Sequence, residues 1–239
     1  MKKLILLTVV AVAVGMGGFV MGLRINGLAL PDAVEMARNV FKARTVFRTT
    51  EGVVAEIEKA KPHLAALAKD AGAKLRINVF KEERQVELSS PGWNAPIVYP
   101  MTAFSGSLGP KLREGDGQIP EGIYRVEYMN PNSSYHLSFK VSYPNAFDRE
   151  MAAKDGRTNL GGDIMIHGSC ATVGCVPIGD DAIDDVFYIV AKVGFRNVEI
   201  VMAPYDMRRG RKRELEKSVL PWYGELCDKI SKALTGGQH

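Results

Sequence analysis

The sequence predicts a mainly β domain of the α+β class, flanked by helices. Three observations carry this. Before Leu75 the apolar residues recur at helical spacing, as in Val34, Ala37, Val40 and Phe41. From Leu75 the period drops to two: Leu75, Ile77 and Val79 alternate with Arg76, Asn78 and Phe80. Several short extended runs then follow, separated by glycine-, proline- and asparagine-rich turns, before helical spacing returns after Cys175.

The chain has 239 residues, 46% of them hydrophobic, and a formal net charge of +4. That length suits one catalytic domain with appendages. The charge is compatible with an anionic wall or membrane surface, and no nucleic-acid module is legible, so no nucleic-acid partner is expected. Lys2-Lys3 precedes an uncharged run from Leu4 to Leu23, closed by Arg24. About 20 apolar residues suffice to span a bilayer. Residues 1–24 therefore read as an N-terminal membrane anchor, with a cleaved signal sequence as the rival. Either places the body outside the cytoplasm, in the periplasm.

Residues 25–72 read as a helical spacer. Asp32 to Arg44 forms one helix, with Asp32 as its N-cap, and Glu51 to Ala71 another, interrupted at Pro62. Residues 73–205 read as the catalytic body. Leu75–Phe80 and Val86–Leu88 form a hairpin across Lys81-Glu82-Glu83-Arg84. Strands are expected at Ile97–Phe104, Ile123–Met129 and Tyr135–Val141. Ser105 to Gly122 is a long glycine-rich loop, and such loops tend to be functional or mobile. Ser142 to Arg149 reads as a polar loop. A helix is expected from Asp180, its N-cap, to Val193, and a closing strand at Val198–Met202. Residues 206–239 form a basic, helical C-terminal tail. His63 reads as solvated and His136 as a rim residue.

The stretch Asp163 to Ile178 carries the chemistry. Ile164 to His167 is β-prone and delivers His167 at a strand end. Gly168 lets the chain turn, and Gly174 precedes Cys175, where a side chain would crowd a substrate. A strand–loop–strand path brings His167 and Cys175 toward hydrogen-bond reach, the arrangement that activates a thiol. Backbone N–H groups around Gly174 and Cys175 are candidate oxyanion donors. The Gly168 carbonyl and Ser169 are candidates for orienting His167.

His167-Gly168 followed by Gly174-Cys175 resembles the signature of the L,D-transpeptidase (YkuD-type) catalytic domain family. Leu108 to Tyr124 and Tyr143 to Arg149 resemble segments of its YafK-like branch. The resemblance spans roughly Leu75 to Ala203. It departs at Thr172-Val173-Gly174-Cys175, where the family's usual second histidine is absent. It implies an L,D-transpeptidase-like β-sandwich with flanking helices. It also implies Cys175 as nucleophile, His167 as base and peptidoglycan stem peptides as substrate. The loop carrying Tyr143, Asn145 and Arg149 would border the substrate cleft, with Arg149, or secondarily Arg157, holding a carboxylate. The alternative to transpeptidation is hydrolysis that releases a wall-linked lipoprotein or a crosslink from diaminopimelate. A lesser alternative is a non-catalytic wall-binding module with Cys170 and Cys175 oxidised to a disulfide. No cofactor is expected. His167, Cys170 and Cys175 lack a second Cys/His cluster to close a metal site, so no metal is expected either. Cys170 and Cys227 either pair with each other or stay free and packed.

Overall fold

A computed structural model describes residues 24–25, 28–29, 47–209 and 220–236. The apolar run of residues 1–23, the expected helix over 32–44 and most of the basic run after Arg209 lie outside these residues. Two compact units divide at Phe47. In the first, β1 (Arg24–Ile25) pairs antiparallel with β2 (Leu28–Ala29). The second is the body.

The body opens with α1 (Thr50–Ala60) and α2 (His63–Ala71). The Thr49 hydroxyl accepts the Gly52 N–H and caps α1. Pro62, which cannot donate to a helical bond, separates the two helices as expected. Val53 and Ile57, with Leu64, Ala68 and Ala71, are buried in the main core. These helices are therefore part of the body's core, where the sequence suggested a spacer: their apolar faces need a partner, and α4 provides it.

Eight strands follow: β3 (Leu75–Phe80), β4 (Gln85–Ser89), β5 (Ile97–Pro100), β6 (Gly122–Asn130), β7 (Ser138–Val141), β8 (Met165–His167), β9 (Val176–Pro177) and β10 (Val198–Ala203). The helices α3 (Ala146–Lys154) and α4 (Asp180–Val193) lie among them in sequence, and α5 (Tyr223–Thr235) closes the chain. The mainly β, α+β class expected from the sequence is the one observed. The strands run edge to edge in the order β5-β4-β3-β10-β6-β7-β8-β9. They thus form one mixed sheet with β6 common to its two halves. The register of β6 against β7 shifts between Val126 and Tyr128, a bulge of the kind that bends a sheet.

The period of two decides what covers each face. Leu75, Ile77 and Val79 join Val198, Ile200 and Met202 in the main core with residues of α1, α2 and α4. Phe80, Val201 and Ala203 belong to a second cluster with Tyr223, Leu226, Cys227, Ile230 and Leu234 of α5. The C-terminal helix packs on the body as its amphipathic spacing requires.

Ser142 to Arg149 is not wholly loop. The Asn145 side chain accepts the Asp148 N–H while the Asp148 carboxylate accepts the Asn145 N–H, and this capping box starts α3. At α4 the N-cap is Gly179, not Asp180. The Asp180 carboxylate accepts the Ser169 N–H instead.

Candidate active site

His167 ends β8 and Cys175 directly precedes β9. The two strands are parallel neighbours, with Ile166 opposite Val176 and His167 opposite Pro177. Cys175 itself lies in the bend before β9. The pairing of β8 with β9 carries it alongside Met165, whose N–H its Sγ accepts. Ile164, Ile166, Val176 and Ile178 flank His167 and Cys175 in sequence, are buried, and anchor both strands in the core. The Ile178 N–H donates to the His167 carbonyl, and the Gly168 N–H to the Leu137 carbonyl.

The His167 ring is buried, and its Nδ1 lies 2.6 Å from the Gly168 carbonyl oxygen. A carbonyl only accepts, so Nδ1 carries the proton. In the neutral ring, Nε2 is then the free base. Of the two orienting groups considered from sequence, the Gly168 carbonyl fills the role. Ser169 donates its N–H to Asp180 and adopts φ 60°, so the left-handed turn falls at Ser169 and not at Gly168. Gly168 is needed for close approach. A Cβ there would lie 2.6 Å from Asp180 Oδ1 and 2.8 Å from the Tyr135 carbonyl.

Cys175 Sγ accepts the Met165 N–H at 3.4 Å and lies 3.6 Å from the Asp163 carbonyl. No hydrogen bond joins it to His167 among the described residues. Burial pushes the thiol up from its ordinary value, the Met165 N–H opposes this, and Asp163 adds to it. Burial also pushes His167 down, against the raising effect of the Gly168 hydrogen bond. Both shifts favour the neutral thiol and the neutral imidazole over an ion pair.

Gly174 has φ 105°, and a Cβ on it would meet the Gln118 carbonyl at 2.9 Å. The crowding anticipated here comes from the protein's own loop. The Gly174 N–H donates to Ser105 Oγ at 2.7 Å, which removes it as an oxyanion donor; Cys175's own N–H is the remaining candidate. The Thr172 hydroxyl donates to the Cys175 carbonyl. Ser105 and Gln118 belong to the long glycine-rich loop, which is firmly tied. Asp116 accepts from Lys111 Nζ and from the N–H groups of Leu112, Arg113 and Gln118. Burial works to raise the Asp116 carboxyl, but Lys111 and these N–H donors outweigh it and hold it below the usual range. Ser105 is not legible from the sequence, because its partner Gly174 lies 69 residues along the chain.

The other expected site residues fare differently. Tyr143 is 3% exposed, and its hydroxyl donates to the Leu160 carbonyl and, at longer range, to that of Lys111. Asn145 caps α3, and its amide donates to the Ile123 carbonyl. Both are committed to holding loops, a correction to their expected contact with substrate. Arg149 is exposed on α3 and makes no ion pair within salt-bridge distance among the described residues. Arg157 is engaged with Asp155 and the Leu112 carbonyl. His136 is exposed and lies 2.7 Å from Asp184.

All three cysteines are free: Cys170 exposed, Cys175 half-buried and Cys227 buried. Neither disulfide considered from sequence is present, and Cys170 is not packed. Among the described residues no group of three His, Cys, Asp or Glu is placed to hold a metal ion.

A model of the L,D-transpeptidase catalytic domain (YkuD) matches residues 75–200, which include β3, the glycine-rich loop, His167, Cys175 and the first half of β10. The chain belongs to this family. It is 33% identical over 144 residues to a protein named "Putative L,D-transpeptidase YafK" of Escherichia coli (strain K12), and equally so to its counterpart in strain O157:H7. Each match covers 57% of this chain and 56% of the relative, so the chain spans little more than half the length of these relatives. Among solved structures it is similar to the helical cell shape determining protein Pgp2 from Campylobacter jejuni. That match has a TM-score of 0.44, 20% identity, and coverage of 60% of this chain and 56% of that one. Bdellovibrio bacteriovorus Bd1075 matches with a TM-score of 0.39, 21% identity, and coverage of 56% and 49%.

Proposed function

We propose that this family member is an exported cysteine acyl-transfer enzyme that acts on peptidoglycan stem peptides as an L,D-transpeptidase. The observation that carries the reading is the pairing of β8 with β9. It presents a Cys175 thiol and a His167 ring whose proton is fixed on the Gly168 side, inside an L,D-transpeptidase catalytic domain. His167 Nε2 takes the thiol proton as Sγ attacks the peptide carbonyl. A tetrahedral oxyanion forms, with the Cys175 N–H as its proposed donor. Its collapse leaves a thioester on Cys175 and passes the proton from His167 to the leaving amine of the terminal residue. An incoming amine then attacks the thioester, with His167 accepting its proton, and the new amide restores the thiol.

The neutral resting pair suits this order. The charge separation forms only when substrate displaces water and brings the two groups together, as catalytic contacts that are loose in the free enzyme tighten on binding. Export is proposed from Lys2-Lys3 and the apolar run after it, with the periplasm as location and the membrane as partner through that segment.

A second reading is favoured by Val173, which stands where the family's second histidine is usual and is 80% exposed beside Cys175. With water as the second nucleophile the same thioester is hydrolysed, and the enzyme releases a lipoprotein or crosslink from the wall. The two readings separate by mass spectrometry of products. The protein is incubated in parallel with tetrapeptide muropeptides and with protein-linked wall fragments. New dimers, or exchange of the terminal D-residue, establish the transpeptidase. Released protein without dimers establishes the hydrolase. No change in either mixture, with a titratable Cys175 thiol, counts against both and favours a wall-binding module.

A further inference from the structure

Tyr135 lies in the turn between β6 and β7, outside the strand that its alternation suggests. Its ring stacks on that of His167, with centroids 4.7 Å apart and planes inclined by 35°. His167 is 1% exposed, yet Tyr135 is 45% exposed, and its hydroxyl makes no hydrogen bond among the described residues. It is thus neither a core residue nor a hydroxyl held for its polarity. What it contributes is a ring face laid on the imidazole.

The turn around it is built to hold that ring in place. The next residue, His136, adopts φ 69°, a left-handed conformation unusual for a residue with a side chain. The His136 ring reaches α4, where Nε2 lies 2.7 Å from Asp184 Oδ1. The Tyr135 N–H donates to Ser133 Oγ, and the Leu137 carbonyl accepts the Gly168 N–H. The Tyr135 carbonyl lies so close to Gly168 that any Cβ there would collide with it. The turn is therefore fixed on both sides of Tyr135 and tied to the residue after His167.

Among the described residues the imidazole has one hydrogen bond, at Nδ1. A single bond at one ring nitrogen leaves the tilt of the ring plane loosely determined. A stacked aromatic removes that freedom and excludes water from one face. We infer that Tyr135 is a positioning residue for His167: its ring holds the imidazole plane so that the direction of Nε2 is fixed, and the His136–Asp184 contact is its mount. The inference rests on the assignment of His167 as base, but Tyr135 itself touches no substrate in it.

The test uses the full chain with Tyr135→Ala, Tyr135→Leu and Tyr135→Phe, read by NMR of the His167 ring protons and by steady-state kinetics. The stacked ring should shift the His167 ring protons upfield in the parent. Ala and Leu should abolish this shift and raise the His167 pKa toward the ordinary imidazole value, while Phe keeps both. An aromatic pair of ordinary strength corresponds to a loss of about five- to ten-fold in kcat. That loss is expected in Ala and Leu with KM little changed, and Phe should restore it. The inference is overturned if Ala and Leu leave the His167 shifts and pKa at parental values, or if Phe is as impaired as Ala. Using Leu as well as Ala guards against a fold-specific loss in one variant. The NMR readout needs no substrate, so it decides the inference even where the proposed acyl transfer fails. Failure of the acyl transfer itself shows separately, as turnover unaffected by Cys175→Ala.

Discussion

The Glu121→Gln substitution should destabilise the protein by several kcal/mol, for reasons that can be counted. Lys81 and Glu121 are both fully buried, with Lys81 Nζ 2.8 Å from Glu121 Oε1. Nζ also donates to the carbonyls of Gly109 and Ile119. Glu121 accepts the Gly109 N–H and the Tyr223 hydroxyl. The group joins β3, the glycine-rich loop and α5. Glutamine keeps the size of the side chain but leaves the Lys81 ammonium without a counter-charge. Removing one partner of a buried pair costs about 3–5 kcal/mol. An independent ceiling agrees: the chain can escape the buried charge by deprotonating Lys81, and for a lysine of ordinary pKa at pH 7 that costs about 4.6 kcal/mol. Burial already pushes Lys81 down against the raising effect of Glu121, so the true cost falls below this ceiling. At about 2–4 °C per kcal/mol for a body of this size, the melting temperature should fall by about 6–18 °C. Tyr223→Phe removes only a hydrogen bond to a charged acceptor and should cost about 1.5–3 kcal/mol. Calorimetry on the purified variants measures both. A Glu121→Gln melting temperature within about 2 °C of the parent would refute the reasoning, as would a larger loss in Tyr223→Phe than in Glu121→Gln.

Other expectations follow from the site and its supports. Gly174→Ala places a Cβ against the Gln118 carbonyl at an unfavourable φ, so it should cost about 1–3 kcal/mol and lower turnover by about a hundred-fold through displacement of Cys175; denaturation and kinetics test the two effects. Asn145→Ala removes half of the capping box of α3 and the bond to the Ile123 carbonyl, and chemical denaturation should register a loss of about 1–2 kcal/mol. Because burial raises the Cys175 thiol, its alkylation by iodoacetamide in the free protein should rise only above the ordinary thiol range near pH 8.5; a midpoint below pH 7 would show a resting ion pair. His167 has a lowered pKa in the folded state, so on acidification the unfolded chain takes up its proton first. His167 should therefore subtract stability as the pH falls below about 6.5, a loss absent in His167→Gln and measurable as melting temperature against pH.

Much of this fold can be read locally. The break at Pro62, the change of period at Leu75 and the helix Asp180–Val193 all follow from the spacing of apolar residues and from proline's missing donor. The same holds for His167 at a strand end and Cys175 just before the next, because Ile164, Ile166, Val176 and Ile178 have no other place than the core. The helix at Ala146 was harder to see. It buries little more than Met151 and Ala152, so it has almost no apolar periodicity. Its one local sign is Asn145-x-x-Asp148, a capping pattern in which aspartate replaces the more usual glutamate or glutamine. What lies beyond local reach is set by pairing across the chain. Ser105 takes the Gly174 N–H, Lys81 meets Glu121, and Tyr135 meets His167. No periodicity encodes such contacts, since they depend on strand register and on where loops land. The neutral state of the thiol and imidazole is illegible for the same reason: it comes from burial, which the motif does not specify.

The central claim, that Cys175 carries the acyl group with His167 as its base, is tested most directly by trapping the thioester. The protein is mixed briefly with a tetrapeptide muropeptide, quenched in acid and digested, and the cysteine-containing peptides are weighed. The account predicts an adduct on Cys175 whose mass is that of the muropeptide less its terminal D-residue. The adduct should be absent in Cys175→Ala, strongly reduced in His167→Ala and retained in Cys170→Ala. An adduct on Cys170, or turnover that survives Cys175→Ala, would contradict it.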